Sequence, residues 1–86
     1  MKRGDIEWLS PDEAIRAILA ARDAGIPLLG FDGAFIGARS TQPSMAHSRD
    51  YTSPSRPPVP DRYADAVTFI KERGAGLHFE IVLGAS

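Results

Sequence analysis

The first strong pattern along the chain is a run of apolar residues at helical spacing behind a helix-start signal. Ser10 suits the N-cap, Glu13 lies three residues later where it completes a capping box, and Pro11 takes the first helical position. Gly25 suits a left-handed cap at the other end. The apolar side chains that share one face are Ala14, Ile15, Ile18 and Leu19. The pattern predicts a helix over residues 11–24.

The next apolar stretch, "IPLLGFDGAFIG", is interrupted by Asp32 and Gly33. Asp-Gly is a preferred pair for a two-residue type I′ turn, because both positions need positive φ. A turn there brings four apolar side chains onto one face, namely those of Leu29, Phe31, Ala34 and Ile36. The pattern therefore predicts a β-hairpin folded about Asp32–Gly33. A phosphate-binding loop is the less favoured alternative, since the glycine spacing matches neither GxGxxG nor GxxxxGK[ST].

Residues 37–60 differ in character from the segments on either side. They hold five of the seven prolines and seven serines or threonines, and no apolar period runs through them. Three arginines against one aspartate give the segment a local charge of +2. The composition predicts a long polar loop, and loops of this length are usually functional or mobile.

Helical spacing returns after this segment and is followed by a strand. Asp61 suits an N-cap and Gly74 a stop, and one apolar stripe carries Tyr63, Ala66, Val67 and Ile70. The final stretch "LHFEIVLG" alternates, so His78 and Glu80 lie on the face opposite the apolar residues.

These elements predict an α+β fold with two helices packed on one face of a small mixed or antiparallel sheet that contains a β-hairpin. The side chains expected to face the helices are Leu29, Phe31, Ile36, Phe79 and Ile81. At 86 residues, the chain has room for a single small domain over residues 1–86, with the loop at 37–60 inside it.

Composition removes several classes of function. The net charge is −1 without an overall basic stripe, which argues against a nucleic-acid partner. No apolar run is long enough to cross a bilayer, and "MKRGDIEWLS" does not have the apolar core of a signal peptide, so we expect no membrane contact and a cytoplasmic location. There is no cysteine, and we expect no metal and no cofactor.

Two groups of residues invite a catalytic interpretation. Ser44, His47 and Asp50 are the residue types of a catalytic triad, but they share one short segment without an oxyanion-hole motif. His78 and Glu80 share a strand face, where they are suited to general acid–base chemistry. We predict that the chain is not an enzyme, with a small enzyme or isomerase using His78 and Glu80 as the alternative.

The favoured function is protein binding. The long segment carries residue types that are enriched at protein interfaces. The predicted partner-binding residues are Arg39, Arg49, Tyr51 and Arg56 of this segment, together with His78 and Glu80 on the strand face. A homodimer formed through an edge strand is a further alternative.

The order of features resembles the Immunity protein 40 family of polymorphic toxin systems. An early tryptophan, a helix with "EAIRAI", the segment "GIPLLGFDG", a polar variable segment, a helix with "FIKERG" and a terminal "HFEIVLG" carry the resemblance. It implies a small, non-catalytic, cytoplasmic bacterial protein that neutralises a cognate toxin domain by binding it. No binding residue of that family is transferred to a position in this chain.

Overall fold

A computed structural model describes residues 2–52 and 59–85. The elements in these two ranges are β1 (Lys2–Arg3), β2 (Ile6–Glu7), α1 (Pro11–Ala24), β3 (Leu28–Ile36), β4 (Thr41–Asp50), α2 (Arg62–Arg73) and β5 (His78–Leu83). β1 and β2 form an antiparallel pair, and the larger sheet is antiparallel with strand order β4-β3-β5. The two helices pack against each other and against this sheet. The predicted α+β fold is confirmed.

Both helices begin and end where their capping residues predict. Ser10 Oγ accepts a hydrogen bond from the N–H of Glu13 at 3.3 Å, and the Glu13 carboxylate accepts one from the N–H of Ser10 at 2.9 Å. Gly25 closes α1 with a φ of 70°, a conformation that costs glycine little. The carboxylate of Asp61 caps α2 by accepting from two backbone N–H groups. These local signals fix the ends of both helices independently of the sheet.

β3 is one continuous strand, and the prediction of a hairpin turn at Asp32–Gly33 is wrong. Neither residue has the positive φ that a type I′ turn requires. Asp32 is exposed in the middle of the strand and lies directly opposite Glu80 of β5. The chain reverses after β3 instead, in a turn over 37–40 that is closed by a 2.8 Å hydrogen bond from the Gly37 N–H to the Ser40 carbonyl.

The prediction of a loop over 37–60 is wrong for residues 41–50, which form the edge strand β4. An edge strand has solvent on one side and needs no continuous apolar pattern. It also tolerates Pro43, because a proline on an edge strand costs no hydrogen bond of the sheet when its nitrogen is on the solvent side. Residues 53–58, including Arg56, lie outside the described residues.

The core lies between the helices and one face of the sheet, as predicted for Phe31 and Phe79, which are 1% and 0% exposed. Leu28 is fully buried while Leu29 is only partly buried, because the β3–β5 register shifts between Leu28 and Gly30. The buried core cluster consists of Ala14, Ile18, Leu28, Phe31, Ala66, Phe69, Ile70, Leu77 and Phe79. Ile36 and Ile81, also expected in the core, are partly buried.

The segment before α1 is joined to the larger sheet at two points. Leu9 and Phe79 exchange two backbone hydrogen bonds, both 2.8 Å long. The Arg3 guanidinium donates to the carbonyl of Ser40 at 3.0 Å and to that of Gly37 in the β3–β4 turn. Among the described ranges, no helix has the length and apolar character needed to cross a membrane.

Candidate functional site

The β4 strand contains a large bulge opposite the middle of β3. Gly33 lies opposite Ser44, whereas Phe31 lies opposite Arg49. Two steps along β3 therefore correspond to five steps along β4, so β4 carries three extra residues within the segment 45–48. Bulges re-aim side chains and are frequent beside functional sites.

Serine side chains hold the bulge in place. The Ser48 hydroxyl donates to the Ser44 carbonyl at 2.8 Å and accepts from the Gly33 N–H at 3.2 Å. Ser48 thus supplies the partner that a regular ladder would provide to the Gly33 N–H. The hydroxyl of Ser44 is also hydrogen-bonded to Nδ1 of His47, over 2.7 Å. The bulge is therefore a closed, hydrogen-bonded unit.

His47 is brought against β3 because Gly33 has no side chain. A Cβ at Gly33 would lie 2.5 Å from the His47 carbonyl oxygen and 2.8 Å from the His47 Cβ. The imidazole ring packs edge-on between Phe35 of β3 and Phe69 of α2, with centroid distances of 6.1 and 6.3 Å. This histidine connects the bulge to the helix.

Two arginines approach the same ring of α2. The guanidinium carbon of Arg49 lies 4.8 Å from the Phe69 ring centroid, and that of Arg73 lies 5.6 Å from it. Such cation–π contacts orient a guanidinium while leaving its N–H groups free to donate. Phe69 itself is 7% exposed, so the ring is a buried base for two more accessible cations.

Two large apolar side chains are exposed at the bulge and on the strand beside it. Phe35, whose ring contacts His47, is 49% exposed, and Met45 in the bulge is 87% exposed. Together, these side chains form the bulge surface, which consists of Phe35, Met45, His47, Arg49, Phe69 and Arg73.

The charge of the bulge surface is positive. Arg49 Nη1 lies 3.6 Å from Asp65 Oδ2, and this carboxylate also accepts a 2.6 Å hydrogen bond from the Tyr51 hydroxyl. The Nε of Arg49 is buried without a hydrogen-bond partner among the described residues. Arg73 is exposed and pairs with no carboxylate in the ranges described. Arg49 and Arg73 carry two positive charges and Asp65 carries one negative charge, so the local charge is +1.

Of the residues predicted to bind a partner, the structure brings Arg49 and Tyr51 together through Asp65. Burial and this hydrogen bond raise the pKa of the Tyr51 phenol. Arg39 is exposed in the 37–40 turn, and Arg56 is outside the described residues.

His78 and Glu80 lie on a different face from the bulge surface. They flank the core residue Phe79 in β5, and alternation directs their side chains away from the helices. Ala34 is opposite His78 and is fully buried, so this face is partly covered. Nδ1 of His78 is buried without a partner among the described residues. We expected both residues on the uncovered face or at an edge of the sheet; β5 is an outer strand of the larger sheet, so they lie at its edge, on a face that is partly covered at His78.

The candidate triad is only partly assembled. Ser44 and His47 are hydrogen-bonded, but Asp50 follows Arg49, whose side chain lies over Phe69, so alternation directs Asp50 to the other side of the sheet. Asp50 accepts hydrogen bonds from the N–H and the hydroxyl of Thr52.

The described residues hold a cleft that lies away from the candidate residues, and no cluster of metal ligands. In the ranges described, no three or more His, Asp or Glu residues are grouped as a metal site. A cleft of about 370 Å³ lies near the start of α2, and its walls include neither His47, His78 nor Glu80.

Of the bulge surface, only Arg49 was predicted to bind a partner, and two of the members that were missed, Phe69 and Arg73, belong to α2. They are four residues apart in α2, a spacing that places them on one side of the helix. That spacing is visible in "FIKER", but only the structure shows that β4 lies against it. The sequence matches no protein-family model and no curated protein.

Proposed function

We propose that this chain is a non-catalytic protein-binding domain that contacts its partner through the bulge surface. The observation that carries the proposal is Met45, 87% exposed in a bulge whose neighbouring residues are held by hydrogen bonds and aromatic contacts. A single exposed apolar residue is ordinary. Here it accompanies a half-exposed Phe35 and two arginines that share one ring.

The residue types favour a protein as the partner. Methionine, phenylalanine and arginine are enriched at protein interfaces, and hot spots cluster around well-packed anchors. Packing of His47 against Phe69 and the Ser48 hydrogen bonds support the surface from below. A surface that is already ordered loses less conformational entropy on binding.

The Ser44–His47 pair supports this proposal better than it supports hydrolysis. A nucleophilic serine needs a histidine that is oriented by an acid, together with donors for an oxyanion. Ser44 instead accompanies Ser48 in closing the bulge, through its carbonyl as well as its hydroxyl. A role in shaping the bulge accounts for the hydrogen bond of the pair, and the ring of His47 packs against Phe35 and Phe69.

The specific form of this function that we propose is immunity against a toxin domain, acting in the bacterial cytoplasm. It rests on the resemblance to the Immunity protein 40 family described above. The gene next to the one encoding this chain tests it. Expression of that neighbour alone should arrest growth, and co-expression of this chain should restore it. A neighbour whose product is harmless would remove the immunity role and leave protein binding in place.

Site-specific photocrosslinking tests the binding surface directly. A benzophenone amino acid replaces Met45 in one version of the chain and Arg16, exposed on α1, in the control. After irradiation in the source cell, the products are identified by mass spectrometry. We expect one protein to be captured from position 45 and not from position 16.

The crosslinking results separate the alternatives. Equal capture from both positions, or none from position 45, would contradict the proposed surface. Crosslinks to a second copy of the chain would assign the surface to a homodimer.

A further inference from the structure

We infer that the bulge surface binds an acidic peptide segment, one in which a carboxylate side chain stands next to a large apolar side chain. The inference rests on the proposed protein-binding function and adds the chemistry of the partner. It follows from the donors that the surface leaves unused, from the apolar side chains around them and from the small number of cations.

Arg49 and Arg73 supply the hydrogen-bond donors of this surface. A guanidinium has five N–H groups in a fixed plane, and carboxylates match this geometry with two hydrogen bonds. The side chain of Arg49 is 31% exposed, and its contact to Asp65, a carboxylate that also accepts from Tyr51, is 3.6 Å long. Arg73 has the Phe69 ring as its contact and an exposed side chain. Two arginines oriented by one ring are thus ready to receive a further anion.

The exposed apolar side chains favour an apolar peptide residue next to the carboxylate. Phe35, half exposed, is joined to Phe69 through His47, so aromatic surface continues from the arginines to the end of β3. Met45 adds an unbranched, polarizable side chain that adapts to irregular apolar partners. A peptide carboxylate at the arginines would bring its neighbouring residue onto this apolar surface.

Peptide is favoured over nucleic acid because the surface has few cations. Nucleic-acid affinity depends on neutralising several phosphates with lysine and arginine. The bulge surface has two arginines, one of them already beside Asp65, in a chain of net charge −1. One or two carboxylates match that charge, whereas a phosphate backbone does not.

Selection from a random 12-residue peptide library displayed on phage tests the inference. The complete chain is the bait, and the Arg73→Gln variant is panned in parallel, so that peptides dependent on this arginine are identified by comparison. We expect the selected peptides to place Asp or Glu next to Leu, Ile, Phe or Met. Their binding is then measured by fluorescence anisotropy with synthetic copies.

Three variants are compared with the wild type: two test the surface and one is the control. Arg73→Gln should weaken binding by about ten-fold or more, as loss of a charged hydrogen bond does. Arg16→Gln removes the same charge from exposed α1 and should leave binding unchanged. Met45→Ser should weaken binding without affecting the fold, because its side chain is 87% exposed.

The outcomes also separate this inference from the proposed function. The acidic partner would be overturned, and protein binding left intact, by selected peptides that lack acidic residues. Such peptides would bind the Met45→Ser variant more weakly and the Arg73→Gln variant as well as the wild type. A lack of peptides dependent on Arg73, or tighter binding of a ten-nucleotide oligo-dT than of any selected peptide, would overturn the inference. Binding indifferent to both substitutions would also count against the proposed surface.

Discussion

Replacing Gly33 with alanine tests whether the bulge depends on the close approach of β4 to β3. The new methyl group would lie 2.5 Å from the His47 carbonyl oxygen, 2.8 Å from the His47 Cβ and 3.2 Å from Cε1 of Phe79. The nearest atom belongs to the backbone, and Phe79 is a fully buried core residue. Neither neighbour is able to rotate away, so we expect the strands to separate locally.

The size of the effect follows from two opposing contributions. Overpacking of this kind costs about 1–3 kcal/mol, and a contact with backbone belongs at the upper end. Alanine in a strand regains about 0.5–1 kcal/mol relative to glycine. The net loss is about 2 kcal/mol, against a total stability of about 4–13 kcal/mol for a chain of this length. The melting temperature should fall by about 8–16 °C.

Urea denaturation followed by the fluorescence of Trp8, the single tryptophan, measures this loss. Trp8 is 5% exposed and should report unfolding through its change of environment. Gly84→Ala is the matched control, since the nearest atoms to its new methyl group are at 3.4–3.5 Å, on Leu29 and Pro27, and we expect a change below about 0.5 kcal/mol. A Gly33→Ala variant as stable as the control would refute the reasoning.

Three further substitutions test individual hydrogen bonds. Ser48→Ala removes the hydroxyl that closes the bulge and should lower the free energy of unfolding by about 1 kcal/mol in urea denaturation; no change would show that packing alone holds the bulge. Burial and the hydrogen bond to Asp65 raise the pKa of Tyr51 above its ordinary value. The contribution of Tyr51 to the free energy of unfolding should therefore be complete below the unfolded-state pKa of about 10 and decline as the pH rises through the folded-state pKa. Tyr51→Phe should flatten this decline in alkaline denaturation, and an unchanged profile would contradict the assignment. Ser10→Ala should cost about 1 kcal/mol through the lost cap. The backbone N–H of Ser10 and then its hydroxyl lower the pKa of Glu13, so the wild type should lose stability as the pH falls through the folded-state pKa of Glu13. The variant keeps the N–H and loses the hydroxyl, so its acid denaturation should retain part of this dependence.

The helices could be predicted from the sequence because their end signals are local. Ser10 and Glu13 lie one turn apart, and Asp61 caps the N–H groups of the next residues. The α+β class follows from these helices and the alternation in the last strand. Information of this kind does not depend on which strand pairs with which.

The centre of the sheet was mispredicted because its determinants are distant in sequence. Asp-Gly favours a turn locally, but Gly33 serves an approach by His47 that only the folded sheet reveals. β4 was not predicted as a strand because it lies at the edge of the sheet and its bulge breaks the period-2 pattern of apolar residues. The arginines of the site were partly predicted, as Arg49 was named, but Arg73 joins it through the Phe69 ring.

Asp32 in the middle of β3 has a consequence for the chain before it is fully folded. β3 lies between β4 and β5, so one of its edges is open until β4 pairs with it and the other until β5 does. A nine-residue segment, "LLGFDGAFI", with strand-forming apolar residues is then available to other chains, and such segments seed aggregation. Asp32 is its single charge, and in the native sheet it faces Glu80, a like charge that weakens the pairing. Asp32 therefore acts as a gatekeeper residue, which lowers the stability of the native sheet and protects the unpaired strand from self-association.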